Sequence, residues 1–170
     1  MQIIRETPRL LLAKYTSEDV ALLHPITSDA QTMSFWPVPF TLEKTEAWIA
    51  RSIQSYKENG FGRYGVMLKS TGEFIGCAGF FRTIVNDNLE NDLGYIIARA
   101  HWKNGYATEA ASACLDLARE KSWFDRVVIQ MAQDHVASRL VAEHLGAVLE
   151  TTFVNAKNRD IMTNLFVVKM

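Results

Sequence analysis

Cysteine is scarce in this sequence: Cys77 and Cys114 are far apart, and each lies in an apolar run. That excludes a disulfide-stapled scaffold and a CxxC redox or zinc motif, and it predicts two reduced core thiols. The histidines His24, His101, His135 and His144 share no ligand spacing either, so no metal is expected. Charge of neither sign is in excess. A formal net charge of −1 gives no whole-molecule pull toward nucleic acid or an anionic membrane, and neither is expected as a partner. No apolar run approaches the roughly 20 residues of a membrane helix. The opening MQIIRETPRLLL has only short apolar stretches before Lys14, unlike a secretory signal, so a cytoplasmic protein is expected. Repeats, low-complexity stretches and linkers are also missing, as are the two phosphate-loop signatures GxxxxGK[ST] and GxGxxG.

What is present is an ordinary globular composition. With 48% hydrophobic and 22% charged residues over 170 positions, the chain can bury a sizeable core as one domain, residues 1–170. Residues 9–14 read as a first strand. Thr16 and Asp19 form a capping-box pattern that opens a short helix carrying Val20 and Leu23 and meeting Pro25. Pro37 and Pro39 forbid regular helix in FWPVPF, residues 35–40. Thr41 then caps a helix with Leu42, Thr45, Ile49, Ile53 and Tyr56 at helical spacing, stopped at Asn59-Gly60.

The period then changes. Residues 62–68, 73–81 and 90–98 read as strands, with turn signals at 70–72 and 86–88, and should form an antiparallel meander. Residues 105–121 carry an apolar helical stripe of Ala107, Ala110, Ala111, Cys114, Leu117 and Ala118. A buried strand at 126–132 follows, then a helix at 136–145 ended by Gly146. Two strands, 147–153 and 161–168, flank a polar loop at 155–160. The strand-helix-strand unit at 90–132 should be a right-handed crossover between parallel strands. The expected fold is α+β: a mixed, mostly antiparallel central sheet flanked by about four helices.

Segment 92–110, DLGYIIARAHWKNGYATEA, runs from a strand through a short polar loop into an alanine-rich helix. A helix start offers unpaired N–H groups and a positive dipole end, which suit a phosphate. Gly105 and Ala107 would let an anion approach the backbone, with Lys103 adding charge nearby. By spacing alone, an ordinary strand-loop-helix connection fits equally well.

The segment resembles motif A of the GNAT N-acetyltransferases, [QR]-x-x-G-x-[GA] at the start of the helix after the fourth strand. It is most similar to the RimJ/RimL-type branch, which reads close to E-I-G-Y-W-L…W-G-K-G-Y-A-T-E-A. Asp92, Leu93, Gly94 and Tyr95 match its first part, and Trp102 through Ala110 its second. The family's N-x-x-S…E-x-x-G element is similar to His135, Ser138, Glu143 and Gly146, and its opening T-x-R-L-x-L to Thr7, Arg9, Leu10 and Leu12.

The resemblance implies a GNAT-like fold and an acyltransferase that moves an acetyl group from acetyl-CoA to a primary amine. The acceptor would be a protein N-terminus or a small-molecule amine. Pantetheine would pair with Tyr95, Ile96, Ile97 and Ala98, near an oxyanion-donating N–H at Ile96 or Ile97. The pyrophosphate would sit on the backbone of Lys103, Asn104, Gly105, Tyr106, Ala107 and Thr108. A lysine-like amine, with a pKa of about 10.4, is mostly charged near neutral pH, so a base is useful. Asp92 takes the family's acidic position and is the candidate base; the alternative is a solvated strand end. Glu90 leaves the same strand face and is a second candidate for the acceptor pocket, or it too is solvated.

Phe35 and Trp36 fall where the family builds an acceptor wall, or they cap the core. His135 stands where the family has asparagine, and could hold pantetheine, donate the final proton or do neither. Ser138 takes a CoA contact or a packing role. The family's usual acid, a tyrosine seven residues on, is Ala142 here, and Ala147 replaces a usual phenylalanine. A CoA-binding module that has lost catalysis is therefore the second reading. Relatives often form dimers, so a homodimer is a further expectation.

Overall fold

In a computed structural model describing all 170 residues, the strands are β1 (Gln2–Glu6), β2 (Leu10–Lys14), β3 (Arg63–Leu68), β4 (Phe74–Val85), β5 (Asn88–Ile97), β6 (Arg126–Ala132), β7 (Val148–Asn155) and β8 (Ile161–Lys169). The helices are α1 (Val20–Thr27), α2 (Leu42–Glu58), α3 (Tyr106–Lys121) and α4 (Val136–His144). The strands make one eight-stranded sheet in the order β1-β2-β3-β4-β5-β6-β8-β7. Every neighbouring pair is antiparallel except β5–β6, the parallel pair predicted for the crossover through α3. This is a mixed, mostly antiparallel α+β sheet flanked by four helices.

The differences from expectation are local. Strand β1 has no clear signal in the sequence. QIIRE is a short edge strand with three of its five residues exposed, so it carries no apolar run. The β4–β5 hairpin is longer than predicted and closes on Asn86-Asp87, both at positive φ (45° and 64°), between the paired Val85 and Asn88. That is the two-residue turn whose twist matches antiparallel strands. Helix α1 runs two residues past Pro25. Proline removes only its own N–H from the ladder, and Thr27 Oγ1 donates to Leu23 O to tie the last turn.

Helices α3 and α4 cover one face of the sheet. Ala110, Ala111, Cys114 and Ala118 are all 0% exposed, and these small side chains let α3 sit close to the strands. Leu115 and Leu117 add burial worth on the order of 2 kcal/mol each. The other face carries α1 and α2, which close a second core of Tyr15, Leu23, Met33, Phe40, Ile49, Cys77 and Ile96. Strand β5 therefore contributes to both cores, Leu93 and Ile97 to one and Ile96 to the other. Both cysteines are buried and unbridged.

Candidate active site

The central strand loses a neighbour halfway along. β5 pairs with β4 from Asn88 to Ile97, but with β6 only at Asp92–Val128. Beyond that point β6 continues to pair with β8 as far as Ala132–Thr163, while β5 runs on without it. The edge of β5 carrying Leu93 to Ile97 is thus left without a β6 ladder in the middle of the sheet. Side-chain hydrogen bonds span the gap from both faces. Gln130 Nε2 donates to Asp92 Oδ1 (3.2 Å), and the Tyr95 hydroxyl donates to Ser138 O (3.1 Å) and lies 2.9 Å from Ser138 Oγ. Burial pushes the Tyr95 phenol up to about 12, against the Ser138 hydrogen bond.

At the end of β5 the chain makes a tight 3₁₀ turn, Arg99–His101, and enters α3. The Trp102 indole donates to Ile97 O at 2.7 Å, folding the loop back onto the strand and occupying that carbonyl. Lys103 and Gly105 take left-handed backbone at φ 63° and 78°. Gly105 is the N-cap and supplies no side-chain cap. The first backbone N–H to reach back is that of Glu109, onto Gly105 O, so the amides of Tyr106, Ala107 and Thr108 have no acceptor within the helix. Asn104 Nδ2 turns back to donate to His101 O and Trp102 O.

This loop is braced from the N-terminal segment. Arg9 Nη1 donates to Asn104 O (2.8 Å), Arg9 Nε meets Glu109 Oε2 (2.6 Å), and the guanidinium lies 4.7 Å from the Tyr106 ring centre. Glu109 Oε1 also accepts from Thr7 Oγ1 and Arg9 N. Burial works to raise the Glu109 pKa, but the Thr7 and Arg9 hydrogen bonds outweigh it and hold the carboxyl below its ordinary value. The opening T-x-R motif and the helix-start glutamate are therefore one unit, although they stand a hundred positions apart.

The acidic candidates have separate fates. Asp92 is buried, not a solvated strand end, and its carboxylate is ion-paired to Arg63 Nη2 at 2.8 Å while also accepting from Gln130. Burial raises its pKa, opposed by the Arg63 charge. Some 11% of its side-chain surface stays open. Glu90 is not a free solvated carboxylate either: both its oxygens accept from Arg126, which also holds Glu150. Its register partner is Thr83, toward the turn of the β4–β5 hairpin.

The aromatic loop divides. Phe35 stacks on His135 at 3.7 Å between ring centres, and its carbonyl accepts from Asn158 Nδ2 (2.9 Å) in the β7–β8 loop. Trp36 packs edge-on against Phe40 and Trp48, so it belongs to the second core. His135 caps α4, with Nδ1 accepting from Ser138 N, which leaves its ring proton on Nε2. Burial lowers its pKa, against Asp134. Ala142 is wholly buried, so α4 offers no acid there. Motif and spacing do not find Arg63, Gln130 or Asn158. Of these only Arg63 leaves a trace, as a lone charge in the otherwise apolar FGRYGVML.

The site thus combines a parallel pair that splays within a mixed sheet with an uncapped helix start at the end of the splayed strand. The family model described as the acetyltransferase (GNAT) domain matches residues 9–148, and the chain belongs to that family. It is 30% identical over 141 residues to the uncharacterized protein YkkB of Bacillus subtilis, covering 82% of each chain. Among solved structures it is similar to an acetyltransferase from Agrobacterium tumefaciens (TM-score 0.82, 24% identity, 100% of this chain and 95% of that one). It is equally similar in fold to RimL, a ribosomal L7/L12 alpha-N-protein acetyltransferase solved with coenzyme A (TM-score 0.82, 18% identity, 99% and 98%). No helix is long and apolar enough to cross a membrane.

Proposed function

We propose that this acyltransferase moves an acetyl group from acetyl-CoA to a primary amine, either a protein N-terminus or a small-molecule amine, by direct attack on the thioester. The observation that carries the reading is the exposed edge of β5 ending at the uncapped start of α3. A free strand edge suits the two amides of pantetheine, and free helix amides suit a diphosphate. Tyr95 and Ile97 face the free edge and would hold the arm, Ile97 through its N–H because its carbonyl is taken; the Ala98 N–H already donates to Ile75 O, and by strand alternation Ile96 also turns its backbone groups to β4. The backbone of Lys103, Asn104, Gly105, Tyr106, Ala107 and Thr108 would hold the diphosphate. RimL, the neighbour in fold that was solved with coenzyme A, supports the choice of cofactor.

In the transfer a C–N bond forms and the C–S bond breaks. The amine gives up one proton and the leaving thiolate takes one. Asp92, partly open at the point where the strands separate, is the proton acceptor, directly or through a water. Of the two candidate donors at Ile96 and Ile97, the Ile97 N–H would face the developing oxyanion, because that of Ile96 turns to β4. His135, with its proton on Nε2, and Ser138 stand at the start of α4 as pantetheine contacts.

Calorimetry with coenzyme A and thiol release from acetyl-CoA over an amine panel test the reading. Micromolar binding with turnover on at least one amine is expected. Binding without turnover on any amine would point instead to the catalytically silent module, which the buried Ala142 at the usual acid position favours.

A further inference from the structure

Arg63 has no part in the chemistry so far, yet it is the most closely held charge in the protein. It is 4% exposed. Its strand position pairs across β4 with Gly79, which in turn pairs with Gly94 on β5. Arg63, Gly79 and Gly94 therefore form one row across three strands. With no Cβ at Gly94, the far end of the row is an open lane in which the Arg63 guanidinium lies. A Cβ on Gly94 would stand 1.8 Å from Arg63 Nη1 and 2.4 Å from Nη2. The lane leads to Asp92, two residues from Gly94 on the same face.

Other groups keep the guanidinium in the lane. Its carbon lies 5.2 Å from the Phe81 ring centre and 5.5 Å from that of Trp48. The Tyr56 hydroxyl donates to the Arg63 carbonyl and pins the strand at that residue. A buried arginine and carboxylate each need the other, because either one alone would be an uncompensated charge out of water. What singles this pair out is its location. Asp92 is also the last β5 residue paired with β6, and its second oxygen is held by Gln130 from the diverging strand.

We propose that Arg63 is a positioning residue for acetyl transfer: lying in the lane at Gly94, it fixes the Asp92 carboxylate at the mouth of the β5–β6 opening and keeps it ionised to take the amine's proton. The proposal rests on Asp92 being the base. It also explains why glycine stands at position 94, since any side chain there would evict the arginine.

The charges facing Asp92 are Arg63 from β3 and Arg51 from α2; Gln130 from β6 does not titrate, and Tyr95 points to the other face of β5. A base must be unprotonated, so kcat/KM rises with pH through its pKa. Removing Arg63 leaves burial opposed by the Gln130 hydrogen bond and, more weakly, by Arg51, so that rise must move to higher pH.

The test is the pH profile of the native enzyme and of Arg63→Met, Arg63→Lys and Gly94→Ala, on whichever amine the native enzyme acetylates fastest, with coenzyme A affinity measured alongside. For Arg63→Met the acidic limb should move up by about one pH unit or more, and kcat at neutral pH should fall roughly 10- to 100-fold. Coenzyme A affinity should stay within about twofold, because Arg63 lies away from the α3 loop. Arg63→Lys should recover part of the shift. Gly94→Ala keeps the charge but displaces it, and should reproduce the shift even if Arg63→Met does not fold. A folded Arg63→Met or Gly94→Ala enzyme with an unmoved limb overturns the positioning role while leaving acetyl transfer intact. A native enzyme that releases no thiol with any amine overturns both.

Discussion

The middle of β5 and its C-terminal end are built on opposite plans. At the C-terminal end the proposed binding groups are backbone amides: the loop through Lys103 and Gly105 leaves them uncapped, and the side chains nearby, Arg9, Glu109 and Trp102, brace the loop. At the middle the proposed working groups are side chains, Asp92, Arg63 and Gln130, which are largely buried and paired with one another. A backbone site tolerates many residue types as long as the turn forms. A side-chain site depends on each residue and on what leaves room for it. Binding should therefore fail through conformation at the end, and chemistry through charge at the middle.

The largest expected effect tests the middle. Asp92→Asn should lower kcat by about 10²- to 10⁴-fold, the range for a general base, with coenzyme A affinity unchanged. It also leaves Arg63 buried without a counter-charge, so chemical denaturation should show a loss of about 3 kcal/mol or more. A fall in coenzyme A affinity instead would break the separation of the two regions. Next, Gly105→Glu puts a side chain at φ 78° and a negative charge on the amide cradle. Calorimetry should show coenzyme A binding weakened at least 100-fold, about 2.8 kcal/mol, with the Asp92-dependent pH limb in place on residual activity.

Smaller again is Arg9→Ala, which removes the bond to Asn104 O and the Glu109 pairing while leaving every proposed coenzyme contact in place. A loss of roughly tenfold in affinity, about 1.4 kcal/mol, would show how far the brace sets the loop. The smallest effect is at His135, whose pKa is depressed in the folded protein by burial. Its contribution to stability is present above the unfolded pKa of about 6.5 and declines as pH falls below it, because the unfolded chain then binds the proton more readily. Thermal melts from pH 7.5 to 5 should show a steeper acid loss for the native protein than for His135→Gln.

Much of the C-terminal end is legible in the order of residues. The helix stripe from Ala107 to Ala118, the glycine at 105 and the break in period at 98–104 are local signals, and Tyr106–Lys121 forms the expected helix. The middle is legible only in part. Asp92 stands out by family likeness, whereas Glu90 follows only from lying on the same strand face, and its pairing with Arg126 has no signal in the sequence. Phe35 and Trp36 are neighbours in one aromatic loop, yet one stacks on His135 and the other packs into the second core. Adjacent residues outside regular structure have no period to say which way each side chain turns.

By itself, the order of residues determined the elements from β2 onward, the parallel crossover and the glycine at the start of α3, because turn chemistry and apolar spacing act within a few residues. Only the folded sheet decided that Arg63 would meet Asp92, 29 positions away, that Gln130 would hold the other oxygen from 38 away, and that Arg9 would brace Asn104 from 95 away. Such pairings depend on strand order and register, and at Arg63 on a glycine, Gly94, that leaves a lane between residues with no local reason to meet.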